Sequence, residues 1–68
     1  MPVTFSEHLL QLRTARDLSQ KALATEIGIS WRTYQNYELG LREPSLSTLI
    51  ALADFYDLSL DELVCRER

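Results

Sequence analysis

A glycine and two serines divide the middle of the chain into two short helical segments. Ser19 and Ser30 each stand before such a segment, where a hydroxyl can accept a hydrogen bond from an unpaired backbone N–H at a helix start. Gly28 stands between the segments and can adopt the left-handed conformation in which many helices end. This pattern predicts two helices joined by a tight turn over about residues 19–38.

The two predicted helices differ in what they offer to solvent. In the first, Leu23, Ala24 and Ile27 recur on one face and are expected to pack inward. In the second, Tyr34 and Tyr37 point inward. Its remaining side chains are then largely on the outside: Trp31, Arg32, Thr33, Gln35 and Asn36. Indole, guanidinium, amide and hydroxyl groups are able to contact the edges of DNA bases.

Three further helices are predicted around this pair. The stretches 4–7 and 59–62 have the form of a capping box, in which a Ser or Thr and a Glu bond each other's backbone N–H groups. Ser45 can cap another helix after Pro44. The first helix should end near Arg16. The core-facing residues of the first and fourth helices are expected to be Phe5, Leu9, Leu12, Leu46, Leu49, Leu52, Ala53 and Tyr56.

These elements predict an all-α fold, a compact five-helix bundle that forms one domain over residues 1–68. The motifs stand in the order found in the helix-turn-helix of the lambdoid phage repressor and Cro family, which the chain resembles from about Phe5 to Val64. The residues that carry the resemblance are Ser19, Gln20, Leu23, Ala24, Gly28, Ile29, Ser30, Glu38, Gly40, Pro44 and Ser45. The resemblance implies a lambda repressor-like DNA-binding domain that places the helix 30–38 in the major groove.

Several site residues follow from this resemblance. It implies base contacts by Trp31, Arg32 and Asn36, with Gln35 nearby. Candidates for phosphate contacts are Gln20, at the start of the second helix, and Ser30, Thr33 and Arg42. The resemblance also implies a structural ion pair between Arg13 and Glu38, which would fix the angle of the base-reading helix.

The sequence departs from the family pattern at three kinds of position, of which Trp31 is described separately below. Asp17 and Asp57 stand where the backbone should turn left-handed and where glycine is usual, at a cost of order 1 kcal/mol. Leu39 and Leu41 stand where relatives often carry Arg or Lys. These leucines are either exposed contacts for another chain or a cover over the end of the core, and we expect the second.

Trp31 stands where the family usually has a polar residue, and three interpretations are open. The indole packs on a thymine methyl group or a deoxyribose, packs on a protein partner, or folds back against the second helix. The sequence alone does not choose among them.

Charge and composition restrict the function. The net charge is −3 and the isoelectric point is near 4.9, which is unusual for a protein that binds nucleic acid. Residues 1–43 are neutral overall, whereas the excess acid lies in the last fifteen residues and should face away from DNA. A small basic surface predicts weak non-specific binding.

The remaining features indicate a cytoplasmic protein without metal or cofactor. Cys65 is the single cysteine, no cluster has metal-ligand spacing, and no stretch suits a membrane span or an export signal. His8 is the single histidine and has no nucleophile or carboxylate cluster placed beside it, so an enzyme is not expected.

The leading interpretation is a sequence-specific DNA-binding transcriptional regulator, and we expect it to be a repressor. Its expected partner is double-stranded DNA with a palindromic operator. A homodimer is expected through the surface near Leu58, Leu60 and Val64, with Cys65 as a further candidate. The alternative is a protein-interaction or antitoxin-like module of the same fold with weak or no DNA binding.

Overall fold

Five helices build the domain. The computed structural model describes residues 4–64, and its helices are α1 (Phe5–Ala15), α2 (Gln20–Ile27), α3 (Trp31–Glu38), α4 (Leu46–Tyr56) and α5 (Leu60–Leu63). Within this range no strand occurs, which confirms the predicted all-α fold with five helices. Over the same residues, no helix has the length and apolar composition that a membrane crossing requires.

Each helix begins at a hydroxyl cap. The capping residues accept a hydrogen bond from the backbone N–H three residues later, and they are Thr4, Ser19, Ser30, Ser45 and Ser59. Both predicted capping boxes form, since Glu7 and Glu62 bond back to the N–H of Thr4 and Ser59. Local sequence therefore sets where all five helices start.

The ends of four helices are followed by left-handed residues, one of which is Gly40, at φ +75°, after α3. Gly28 has φ +78°, and Asp17 and Asp57 have φ +56° and +55°. Positive φ costs an L-residue energy that glycine does not incur, so the two aspartates hold their turns under mild strain. Both aspartates thus adopt the conformation expected from the sequence.

The helices enclose one core of nine buried side chains: Leu9, Leu23, Ala24, Tyr34, Tyr37, Leu52, Ala53, Tyr56 and Leu63. Phe5, Leu12 and Leu49 pack against it and are partly exposed. The prediction that Leu46 joins this core is wrong, because its side chain is 65% exposed. Leu46 lies on the apolar stripe of α4. It is the first residue of the helix, however, and the elements that cover the later turns do not cover it.

Two contacts of α1 tie the bundle together. The imidazole Nδ1 of His8 lies 2.9 Å from the carbonyl oxygen of Leu63, which joins α1 to α5. The guanidinium of Arg16 lies 5.2 Å and 5.1 Å from the ring centroids of Phe55 and Tyr56, which joins the end of α1 to α4. These contacts connect α1 to α4 and α5, and α1 is one of the helices against which α3 packs.

The packing order separates α3 from the acidic part of the chain. α3 packs against α1 and α2, whereas α4 packs against α2 and α5. The acidic side chains of the described C-terminal part are all exposed on or beside α4 and α5: Asp54, Asp57, Asp61 and Glu62. The outer face of α3 is therefore presented by the more neutral part of the molecule.

Candidate nucleic-acid interface

Two tyrosines anchor α3 to the core. Tyr34 is fully buried and Tyr37 is 7% exposed, and their rings meet edge to face with centroids 6.5 Å apart. Because these residues lie three apart on one side of a short helix, the opposite side must face solvent. The inward orientation predicted for both tyrosines is confirmed.

The outer side of α3 carries unpaired donors and acceptors. Trp31 is 51% exposed, Arg32 is exposed, and Gln35 and Asn36 are partly exposed. Among the contacts within residues 4–64, the side chains of Arg32, Gln35 and Asn36 make no hydrogen bond or ion pair. A guanidinium can give two donors to guanine, and an Asn or Gln amide can pair with adenine, so these groups suit base edges.

The start of α3 is organised by two hydroxyl groups. The hydroxyl of Ser30 accepts from the backbone N–H of Thr33 at 3.2 Å and donates to the Thr33 hydroxyl at 2.7 Å. A helix start also presents unpaired backbone N–H groups and the positive end of the helix dipole, which favour an anion. Arg42 is exposed in the link that follows α3. Ser30, Thr33 and Arg42 thus stay accessible to a phosphate.

An ion pair fixes the far end of α3. Arg13 on α1 donates to the Glu38 carboxylate twice, from Nε to Oε2 at 2.7 Å and from Nη2 to Oε1 at 3.2 Å. Its Nη1 also donates to the carbonyl oxygen of Leu18 at 2.7 Å. The side chains of Arg13 and Glu38 are only 14% and 5% exposed. The pair inferred from the resemblance is thus a nearly buried clamp between α1 and α3.

Gln20 extends this clamp to the start of α3. Its amide nitrogen donates to Oε1 of Glu38 at 3.0 Å, and its amide oxygen accepts from the indole Nε1 of Trp31 at 3.3 Å. Gln20 is half-buried, and its second amide hydrogen makes no hydrogen bond within residues 4–64. The link between Gln20 and Trp31 was not predicted, because the residues lie eleven apart in sequence and meet only through the turn between α2 and α3.

The carboxylate at the centre of these contacts is held ionised. Burial raises the pKa of Glu38, but the hydrogen bonds from Arg13 and Gln20 outweigh burial and hold the pKa below its ordinary value. The hydroxyl of Tyr34 is buried and makes no hydrogen bond within residues 4–64. A charged Glu38 is required to keep all its donors in place.

Leu39 and Leu41 differ from the expectation that they cover the end of the core. Their side chains are 62% and 70% exposed. Leu39 caps α3, and the left-handed Gly40 then turns the chain so that the N–H of Leu41 returns to the carbonyl of Asn36 at 2.9 Å. Both leucines therefore lie beyond the turns of α3 that pack inward.

No group of three or more potential metal ligands assembles in the described part of the chain.

Several curated proteins that this chain is similar to are named as transcriptional regulators. Curated relatives include the HTH-type transcriptional regulator YqaE of Bacillus subtilis, 43% identical over 88% of this chain and 52% of that protein. The CTXphi phage transcriptional repressor RstR of Vibrio cholerae is also 43% identical, over 88% of this chain and 54% of that protein. The chain thus spans about half the length of these relatives. Their names are those of regulators and not of enzymes.

Solved structures of other proteins share the fold of this chain. A transcriptional regulator from Listeria innocua superposes with a TM-score of 0.90 at 31% identity, over 100% of this chain and 64% of that one. The SOS-response repressor LexA from Eubacterium rectale gives 0.83 at 28% identity, over 88% and 64%. The sequence profile of the helix-turn-helix family matches residues 9–63. The chain belongs to this helix-turn-helix family, as its resemblance to the lambdoid phage repressor and Cro proteins indicated.

Proposed function

We propose that this chain is a sequence-specific DNA-binding transcriptional regulator that inserts α3 into the major groove. The observation that carries the proposal is the outer face of α3, where Arg32 and Asn36 offer side chains unpaired within residues 4–64. They lie opposite two tyrosines that fix the helix to the core. The relatives named as regulators support the same function. We further propose that residues 1–68 act as one domain.

In this proposal the site residues divide by role. Base edges are contacted by Trp31, Arg32, Gln35 and Asn36, and phosphates by Gln20, Ser30, Thr33 and Arg42. Each good bidentate base contact would contribute about 1–3 kcal/mol of discrimination against the wrong base. Phosphate contacts position the helix without reading sequence. Because the chain has few cations near α3, its affinity for random DNA should be low.

Two-fold symmetry would add the contributions of two weak half-sites. We propose a homodimer on a palindromic operator, with α3 helices about 34 Å apart, one turn of DNA. The surface near Leu58, Leu60 and Val64 is the proposed interface. Leu60 is 40% exposed, and Val64 lines an apolar groove of about 240 Å³ with Phe5, Pro44 and Leu49 among its walls. Cys65 lies outside the described residues.

Sedimentation of the protein with and without operator DNA tests the proposed dimer. Leu60→Glu should abolish the binding of two copies to one operator, because it places a charge in an apolar contact. Leu10→Glu is the matched control, since Leu10 is similarly exposed at 45% but lies on α1. Equal loss in both variants, or no loss in either, would contradict the interface.

Selection from a random duplex pool tests the regulator function itself. We expect enrichment of one palindromic sequence. Arg32→Ala should then relax the preference at one base pair of each half-site, whereas Arg42→Ala should weaken binding to all sequences and reduce the salt slope by about 1. Failure to enrich any sequence at low salt would contradict the proposed function.

The exposure of Leu39 and Leu41 favours a second candidate, a protein-interaction or antitoxin-like module with weak or no DNA binding. Trp31 is the single tryptophan, so its fluorescence reports directly on the outer face of α3. Titration with mixed duplex DNA at two salt concentrations distinguishes the candidates. Quenching that weakens with salt supports DNA binding, and no change even at low salt supports the protein-interaction module.

A further inference from the structure

The indole of Trp31 has already used its one polar group within the protein. Tryptophan has a single donor, the indole N–H, and no acceptor. In this chain that donor points at the amide oxygen of Gln20 on α2, at 3.3 Å, the long end of the usual range. Half of the indole surface is nevertheless exposed on α3. What the side chain offers outward is therefore carbon.

The orientation of the Gln20 amide is fixed from the other side. Its nitrogen donates to the Glu38 carboxylate at 3.0 Å. If the amide were turned over, its oxygen would face a carboxylate and its NH₂ would face the indole N–H, so both contacts would become repulsive. Glu38 is in turn held by two hydrogen bonds from Arg13. The network therefore permits one amide orientation, in which the oxygen accepts from the indole.

We propose that Gln20 is a positioning residue that turns the indole N–H of Trp31 away from the duplex, so that Trp31 reads the 5-methyl group of thymine. The inference rests on the proposed function, and it assigns a chemical target to the first residue of α3. In the major groove the thymine methyl is the apolar group that distinguishes one base pair from another. An indole held by its N–H presents a fixed carbon edge to such a group.

Deoxyuridine provides the test, because it differs from thymine only by the missing methyl group. Each thymine of the operator selected by the wild-type protein is replaced singly. At one position in each half-site, binding should weaken about three- to fivefold, the effect of losing one buried methyl contact. In Trp31→Ala this sensitivity should vanish while the other thymines keep theirs. The ratio of the two affinities cancels any general loss of binding in the variant.

Gln20→Leu separates positioning from contact. It keeps the size of the side chain but cannot accept from the indole, so the sensitivity to the methyl group should fall although Trp31 is intact. In the protein without DNA, the indole N–H should exchange with solvent faster in Gln20→Leu than in the wild type. Lys21→Leu is the control, since Lys21 is exposed on α2 and its side chain makes no hydrogen bond or ion pair within residues 4–64.

The outcomes separate this inference from the proposed function. If an operator is selected but no thymine responds to deoxyuridine by more than about twofold, the inference fails and the function stands. Sensitivity that persists in Trp31→Ala, or that is unchanged in Gln20→Leu, also overturns the inference. If no sequence is selected at all, both fail together.

Discussion

Arg13 and Glu38 join α1 to α3 through two hydrogen bonds from one guanidinium to one carboxylate, at 2.7 Å and 3.2 Å. Both side chains are nearly excluded from solvent. Removal of either partner would leave a buried charge uncompensated, which makes the pair costly to break. The pair therefore holds α3 at a fixed angle to α1.

Loss of one partner of the ion pair should be costly. Arg13→Met or Glu38→Leu alone should lower the free energy of unfolding by about 3–5 kcal/mol, a large share of the stability of a small domain. The double variant should lose clearly less than the sum, because no charge is then left buried. Urea unfolding monitored by circular dichroism, with an osmolyte to keep the single variants folded, measures all four free energies. Strict additivity would contradict a direct coupling.

Acid should destabilise the protein through the same carboxylate. The pKa of Glu38 is lower in the folded protein than its ordinary value of 4.5, so its contribution to stability is complete above pH 4.5. That contribution is lost as the pH falls from 4.5 through the lower folded pKa. Thermal unfolding of Glu38→Gln should therefore depend less on pH in this range than that of the wild type.

Glu26→Gln serves as the control for this acid dependence. Glu26 is exposed, and its side chain makes no ion pair or hydrogen bond in the described part of the chain. The variant should follow the wild-type profile. A residual slope is expected in Glu38→Gln, because backbone and side-chain hydrogen bonds at Ser59 also lower the pKa of Glu62. An unchanged slope in Glu38→Gln would remove Glu38 as a cause.

Glycine at residue 17 should stabilise the domain. Asp17 has φ +56°, which an L-residue adopts at a cost that glycine avoids. Asp17→Gly should raise the free energy of unfolding by up to about 1 kcal/mol, and Asp17→Ala should lower it by about the same amount. Both variants remove the same charge, so opposite signs in chemical denaturation identify backbone conformation as the cause. Equal signs would identify charge instead.

Removal of the Tyr56 hydroxyl should not harm the protein. The hydroxyl is buried and has no hydrogen-bond partner within residues 4–64. Tyr56→Phe should therefore raise the free energy of unfolding by up to about 1 kcal/mol. Tyr37→Phe is the matched control, since its hydroxyl is not among the buried unpartnered atoms and its change should stay within about 0.5 kcal/mol.

Tyr56 should also limit stability in alkali. Burial raises the pKa of its hydroxyl from 10 to about 12. A raised pKa in an acid means that the folded state favours the neutral form. The contribution to stability is then complete below pH 10 and is lost as the pH rises toward 12. Absorbance of the phenolate during titration should lose one late ionisation in Tyr56→Phe, while that of Tyr34, whose pKa burial also raises, remains.

The fold followed from the sequence where its causes are local. Helix starts depend on a hydroxyl and its neighbours within three residues, so all five caps and both capping boxes were predictable. Helix ends depend on φ at one residue, so Gly28 and Asp17 were predictable in the same way. The core followed from helical periodicity, except at Leu46, where a position at the helix end matters more than the stripe.

The site followed only in part, because several of its contacts join distant residues. The resemblance supplied Arg13 and Glu38, but nothing in the sequence indicated that Gln20 bridges Glu38 and Trp31. The stacking of Arg16 on Phe55 and Tyr56 was missed for the same reason. The interpretation that the indole of Trp31 folds back against α2 holds for its N–H, which bonds to Gln20, while the residue stays 51% exposed.

The left-handed aspartates after α1 and α4 make this small domain less stable than it would be with glycine at the same two positions. A single nucleotide change converts an aspartate codon into a glycine codon, and at residue 17 or 57 that change touches neither the core nor α3. A descendant carrying it would gain up to about 1 kcal/mol, which would offset part of the cost of a destabilising substitution on the outer face of α3. The two turns therefore bear on how readily new α3 surfaces arise in evolution.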